Sequence, residues 1–424
     1  MQAGQDNLIT FDIVNPRIML RTLSLFTLLL IGTGLYSQSR MSSSEISHLY
    51  NTEHEFILDE RVAKAGNRYK VYLRFRLNSG MVKISDYELS YDLRGSYIDE
   101  KLINASVKLD SSHVIDNGFR EFTYVIDFIA NDDQDLLVIQ IDNLMRNRKY
   151  HKDIALSSEN ATGYQSFLLF QEEKDLPYFE NYVNVGTKLR VQNVLGEAAS
   201  FAINGSTNQK RVAMPPFDDN NRKDVESSPL ETSYGVRPGE VFEFEEAGFY
   251  EIIAGTDESQ KSGILVTDAF YPYFEEYTHL IQPLIYICTN QEFAGMLASE
   301  DTKSSFENFV LETISSNTNI AQEFVKYYYR RVRKSAQLFT TTTEGWKTDR
   351  GMVYQVYGNP ANVFRNETTE LWVYTLEGGS RARFIFDIEK SPSGIREYKL
   401  IRGKKYREGW MNAVTRWRSG RIIE

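Results

Sequence analysis

The chain has 424 residues, 42% of them hydrophobic and 13% aromatic, with a formal net charge of −10. Its apolar content excludes a disordered chain, its length allows two to four domains, and a single Cys excludes an internal disulfide framework. The charge is uneven: residues 321–424 hold 20 Lys+Arg and 11 Asp+Glu (+9), leaving 28 against 47 (−19) for residues 1–320.

Near the N-terminus, Met19-Leu20-Arg21 offers a start and a positive charge ahead of an apolar run over 23–35 and a short polar exit at 36–38. The run is too short to span a bilayer comfortably and has the form of an export signal. Residues 1–18 include Asp6 and Asp12 and look unlike the head of such a signal, so initiation is expected at Met19 and residues 1–38 are set aside. No Cys follows the run, so no lipid-anchor site is seen. The expected location is the periplasm, with nucleic acid excluded as a partner.

The first half is patterned as strands. Tyr69, Val71, Leu73, Phe75 and Leu77 alternate with Lys70, Arg74 and Arg76, which predicts a strand with one buried and one solvated face. Tyr87, Leu89, Tyr91 and Leu93 repeat the pattern, and further strands are expected at 105–109, 119–130, 136–142 and 165–170. With turn residues between them, these predict an antiparallel β-sandwich over 45–172. A second β module is expected over 178–268, with strands at 188–194, 200–203, 240–245, 249–254 and 263–267. Its Gly248-Phe249-Tyr250 opening suggests an immunoglobulin-like corner, where a Tyr hydroxyl bonds back to the backbone. Residues 214–233 hold three of the ten prolines and are expected to form a long mobile loop.

From Tyr271 onward the period changes. A short helix is expected from Thr289 to Ala298, and Phe306, Phe309, Val310 and Ile314 recur at helical spacing. A longer helix is expected from Asn319, as its cap, to Phe339, with Ile320, Phe324, Tyr327, Tyr328 and Val332 as its apolar stripe. Residues 352–357 read as a strand, 370–376 pairs with 381–387 across Gly378-Gly379, 396–402 reads as another strand, and 410–417 as a terminal helix.

Between these helices and strands stands Glu344-Gly345-Trp346-Lys347-Thr348-Asp349-Arg350-Gly351, closed by Tyr357-Gly358-Asn359-Pro360. This motif, with its surroundings over roughly 270–410, resembles the GWxTD family, mostly exported proteins of the Bacteroidota and their relatives. The resemblance implies an architecture and a compartment rather than a reaction. The expected whole is multidomain and mainly β: two antiparallel β-sandwich (immunoglobulin-like) modules followed by an α+β GWxTD domain over 270–424.

The candidate motif or interaction residues are Gly345, Trp346, Thr348, Asp349, Arg350, Gly351, Gly358 and Pro360. One reading makes them an aromatic-anchored turn, with Trp346 packed between the Asn319 helix and the meander and Thr348 and Asp349 bonding the backbone. The other has Trp346, Asp349, Arg350 and Tyr354 surround a partner or ligand. No catalytic residue, cofactor or metal site is assigned. His48 and His54 lack the spacing of a metal-binding helix and are taken as exposed, and Cys288 as a buried apolar thiol. The acidic runs at 131–135 and 218–221 lack the frame of a calcium loop. Basic and aromatic residues mix at the C-terminus, among them Lys399, Arg402, Lys404, Lys405, Tyr406, Arg407, Trp410, Arg416, Trp417, Arg418 and Arg421. Two origins fit that mixture: a solvated terminal helix, or a surface meeting an anionic partner such as the outer membrane.

Two functions follow. The favoured one is a non-enzymatic periplasmic interaction or scaffold protein with protein partners in the cell envelope, an accessory of outer-membrane assembly or transport. Its competitor is a hydrolase of envelope polymers using Glu344 and Asp349, which requires both carboxylates in one cleft.

Overall fold

The computed structural model describes residues 45–97, 107–156, 163–207, 211–218, 228–391 and 393–421. The expected export signal lies outside these residues, as do Asp219 to Asn221 of the second acidic run. The described residues are mainly β, in several antiparallel sheets with a few short helices.

Eight strands come first: β1 (Phe56–Ala65), β2 (Arg68–Leu77), β3 (Tyr87–Arg94), β4 (Val107–Leu109), β5 (Val114–Asp116), β6 (Glu121–Ile129), β7 (Leu136–Asn143) and β8 (Arg148–Ala155). They form two four-stranded sheets, ordered β1-β2-β6-β5 and β4-β3-β7-β8. Both sheets feed one core that includes Val71, Leu73, Phe75, Leu89, Ile126, Ile139 and Ile141. The alternation in β2 thus places its apolar set as expected. Its other face departs from expectation: Arg74 is buried, because Asp59 and Glu180 each pair with it at 2.8 Å and the ring of Phe179 lies 4.8 Å away.

Next come β9 (Phe167–Gln171), β10 (Tyr182–Asn184), β11 (Lys188–Asn193), β12 (Phe201–Ser206), β13 (Pro229–Val236), β14 (Val241–Glu243), β15 (Gly248–Ala254) and β16 (Asp257–Thr267). They form sheets ordered β14-β11-β9 and β10-β16-β15-β12-β13 around a second core. Strand β9 had been expected in the first module. It pairs instead with β11, while the bridge Ala63–Gln165 and the bond from Lys64 N to Gln165 O (2.8 Å) reach back to β1. The Tyr250 hydroxyl donates to Glu246 O at 2.9 Å, the backward bond expected of it.

The remainder begins with α1 (Tyr277–Ile281), α2 (Asn290–Leu297), α3 (Thr302–Asn308) and a π-helical turn, Phe309–Ile314. Then come α4 (Thr318–Phe339), α5 (Asp349–Tyr357), β17 (Asn362–Arg365), β18 (Thr369–Thr375), β19 (Arg381–Lys390), β20 (Arg396–Leu400) and α6 (Arg407–Arg418). The cap of α4 is Asn317, two residues earlier than expected, its Oδ1 accepting from the N–H of Asn319 at 3.0 Å. The four last strands form an antiparallel meander in chain order, with the predicted hairpin across Gly378-Gly379.

Residues 352–357 are helical rather than extended. All nine residues of α5 are buried, so no solvated face marks its turns, and a short run buried on every side carries no period to read. Of the 214–233 segment expected to be a long mobile loop, residues 219–227 lie outside the described residues and 229–233 belong to β13. Residues 211–218 are tied down: Ala213 N donates to Lys347 O (2.8 Å) and Gly403 N to Pro216 O (3.0 Å). The chain's early segment also enters this part, with Ile46 N donating to Val363 O at 2.9 Å and Tyr50 buried in its core.

Candidate functional site

The turn that carries the signature is built on close backbone packing. Gly345 N donates to the hydroxyls of Thr340 (2.9 Å) and Tyr271 (3.1 Å). A Cβ on Gly345 would collide with the carbonyl of Ser335 and come within 2.6 Å of Thr340 N, and one on Gly351 would overlap the carbonyl of Gly345. Thr348 closes the turn and opens the helix: its hydroxyl donates to Gly345 O (2.7 Å) and accepts from Gly351 N (3.0 Å), an N-cap for α5.

Trp346 is 2% exposed. Its indole N–H donates to Glu344, its carbonyl accepts from Gln355 Nε2 (2.8 Å) and the Tyr286 hydroxyl (3.1 Å), and its ring meets Phe274 edge-on. In the meander, Trp372 sets its ring against Phe339 of α4 at 5.4 Å and Phe386 of β19 at 5.0 Å, and the Tyr50 ring meets both Phe339 and Trp372. Asp349 Oδ2 accepts from Leu400 N (2.7 Å) and Arg402 Nη1 (3.0 Å), and Arg402 passes on to Met214 O (3.1 Å). Asp349 therefore ties α5, the last strand and the 211–218 segment together. At the far end of α5, Gly358 and Pro360 are buried, and Gly358 O accepts from the Tyr374 hydroxyl at 3.1 Å.

Arg350 leads into a buried polar cluster that motif reasoning had not assembled. Its guanidinium stacks over Tyr398 at 3.4 Å, donates to the Tyr50 hydroxyl (3.3 Å) and lies 3.6 Å from Glu370. Arg365 donates to Glu370 Oε2 (2.8 Å), to the Tyr50 hydroxyl (2.7 Å) and to Asp153 Oδ1 (3.0 Å). Trp372 Nε1 adds a bond to the other Glu370 oxygen at 2.7 Å. Burial pushes the Glu370 and Asp153 carboxyls up, but the neighbouring arginines outweigh it and hold both below the usual carboxylate range. Burial raises the Tyr50 hydroxyl well above its usual value, so it stays protonated and donates to Glu370 at 2.7 Å. The sequence signal for this cluster was slight, since its members lie 320 residues apart.

The cluster floors a cleft of about 400 Å3 lined from all parts of the described chain, including Arg61, Lys152, Gln165, Arg350, Arg365 and Arg396. Several of these cations are engaged across it. Lys152 pairs with Glu60 at 2.9 Å, and Arg61 donates to the carbonyls of Tyr178 (2.9 Å), Phe179 (2.7 Å) and Glu180 (2.7 Å). Glu344 and Asp349 are not among its lining residues.

The remaining candidates lie elsewhere. His48 and His54 are not a solvated pair: their rings meet Phe56 and Tyr150 edge-on or tilted, and His48 is 8% exposed, its imidazole pushed down to about 3 by burial and then by His54. Burial pushes the Cys288 thiol far up. Among the described residues no three His, Cys, Asp or Glu gather so as to hold a metal ion. Of the basic C-terminal mixture, Tyr406, Trp410 and Trp417 are buried, and Arg418 is spent on Glu292 at 2.8 Å. Among the described residues no helix is long and apolar enough to cross a membrane.

Residues 248–419 match the family model of the GWxTD domain. No curated protein matches the chain. Among solved structures it is similar to a chimeric titin Z1Z2-Z1Z2 tandem functionalised with a GRGDS exogenous peptide from fibronectin. The identity is 10% and the TM-score 0.15, over 50% of this chain and 99% of the other.

Proposed function

This chain belongs to the GWxTD domain-containing family, and from that premise we propose that it is a non-enzymatic interaction protein of the cell envelope, exported to the periplasm. In this reading the two β parts are immunoglobulin-like spacers over about 45–156 and 163–268, and the α+β domain over 270–424 organises them. Tyr250 and its backward bond support the immunoglobulin-like assignment of the second.

One observation carries the reading: every polar side chain of the signature from Glu344 to Arg350 is engaged inside the protein. Glu344 serves Trp346 and Lys347, Thr348 its own turn, Asp349 the last strand and Arg402, and Arg350 the Tyr50–Glu370 cluster. A nucleophile or general acid needs a face open to substrate, and these groups are committed to holding parts together. The protein partner, a component of outer-membrane assembly or transport, would be met by the outer faces of the joined parts, the exposed basic residues Lys404, Lys405 and Arg407 among them.

Crosslinking in intact cells, followed by purification from envelope fractions, tests this. A stoichiometric envelope protein captured with the chain is expected. A chain recovered alone overturns it.

A further inference from the structure

At one end of the first pair of sheets, three connections come together. The β2–β3 loop leaves Leu77, the β5–β6 turn holds Gly118-Phe119-Arg120, and the β7–β8 turn follows Asn143; pairing of Arg76 with Glu121 and of Tyr87 with Asn143 puts all three at the same edge. They touch: a Cβ on Gly80 would lie 2.8 Å from the Arg120 guanidinium, and Leu144 N donates to Asp86 O at 2.8 Å. The ties from these sheets to the rest of the chain at Ala63, Lys64 and Asp153 are toward the other ends of β1 and β8.

What these connections present is apolar. Phe119 is fully exposed, Met81 is 91% exposed, Met145 76% and Leu144 58%. Phe119 and Arg120 both adopt left-handed backbone, with φ of 45° and 64°. Bulky residues rarely take that conformation, and here it holds a phenyl ring out in water. Four exposed cations make a collar near the four side chains: Lys83, Arg120 and Arg146 lie in the connections and Arg148 begins β8, while Asp116 and Glu121 flank the β5–β6 turn. The acids at this end are turned onto their own loops, Asp86 accepting from Lys83 N at 2.8 Å, Asp116 from Gly118 N at 2.8 Å and Glu121 from Asn117 Nδ2 at 3.4 Å, and Arg146 reaches Glu55 at 2.9 Å. The four cations stand in a stretch of chain that is acidic overall, −19 over residues 1–320.

We propose that this loop end docks on an anionic lipid bilayer, with Met81, Phe119, Leu144 and Met145 entering the headgroup region and the collar meeting the lipid charge. Apolar tips ringed by Lys and Arg suit that interface, where burial and electrostatic attraction add. The contact stands independently of the scaffold reading and lies on a different surface from the C-terminal basic residues.

The full chain is sedimented with vesicles of phosphatidylcholine alone or with phosphatidylglycerol. Binding to the anionic vesicles is expected, at least about tenfold weaker when Met81, Phe119, Leu144 and Met145 are all replaced by Ser, and weaker also in Lys83→Gln/Arg120→Gln. Circular dichroism checks that these exposed changes leave the fold intact, and a Phe119→Trp chain should shift its emission to the blue on anionic vesicles. No binding to anionic vesicles, equal binding to neutral ones, or unchanged binding of the Ser variant overturns the proposal. So does a result in which the Ser variant only converts a dimer to a monomer.

Discussion

Arg365 and Asp153 meet at 3.0 Å with both side chains buried, one on the C-terminal meander and the other on the first pair of sheets. A buried pair contributes little net stability against an apolar replacement, but removing one partner strands the other charge in a low dielectric. Arg365→Ala should therefore destabilise the protein by about 3–5 kcal/mol, read as a lower midpoint in urea unfolding. Replacing Arg365 by Met together with Asp153 by Leu should recover much of that loss. Equal stability of the single variant and the parent would show that water replaces the pair at no cost.

The same cluster sets an acid limit. Glu370 and Asp153 are held below their ordinary values, so the folded protein binds fewer protons than the unfolded chain as pH falls. Their contribution is complete above the unfolded carboxylate range, near pH 4, and is lost below it as pH drops toward the depressed folded values.

His48 acts at milder pH. Its folded value of about 3, against 6.5, means that the unfolded state takes up the proton first. Stability from this residue is full above about pH 6.5 and declines as pH falls toward 3, by about 2 kcal/mol between neutrality and pH 5. Urea unfolding at pH 7 and pH 5 should show that decline, and His48→Phe should remove most of it. An unchanged pH slope in the variant would refute the assignment.

Gly351→Ala should be among the most damaging single changes in the chain, because the new methyl overlaps the carbonyl of Gly345 in a turn with no slack. A loss of about 3 kcal/mol is expected. Gly403→Ala, where a Cβ meets nothing within 4 Å, is the matched control. Thermal unfolding compares them.

Arg402 carries Asp349's hold onto Met214 O. Arg402→Ala should free the 211–218 segment while leaving the bond from Ala213 N to Lys347 O, so trypsin should cut faster after Arg211. An unchanged cleavage rate would assign the anchoring to Ala213 and Gly403 alone.

How much of this was legible in the sequence depends on which faces each element buries. Strands β2 and β3 and the hairpin across Gly378-Gly379 announce themselves, because a half-buried strand writes its register as alternation, whereas β7, buried along nearly all its length, shows as a continuous apolar run. Helix α5 does not, since burial on every side erases the period. Arg74 was read as solvated because one strand's pattern says nothing of a second module lying on its outer face. Thr348 as a turn-forming residue was readable from its type; that Gly345 and Gly351 serve close backbone approach, with no left-handed φ, was not. Arg350's partners were not: Tyr50 and Glu370 reach it only after the whole chain has folded.

Tyr50 sits in the core of a unit whose strands are synthesised some three hundred residues later, and it receives and donates bonds there. The last-made third of the molecule thus has an empty socket until the first-made segment returns to fill it. A fragment begun at residue 270 would lack the Tyr50 and Asp153 groups that satisfy Arg365 and Glu370. Long-range closure of this kind is slow, so the early segment must wait, unpaired, for its destination to be made.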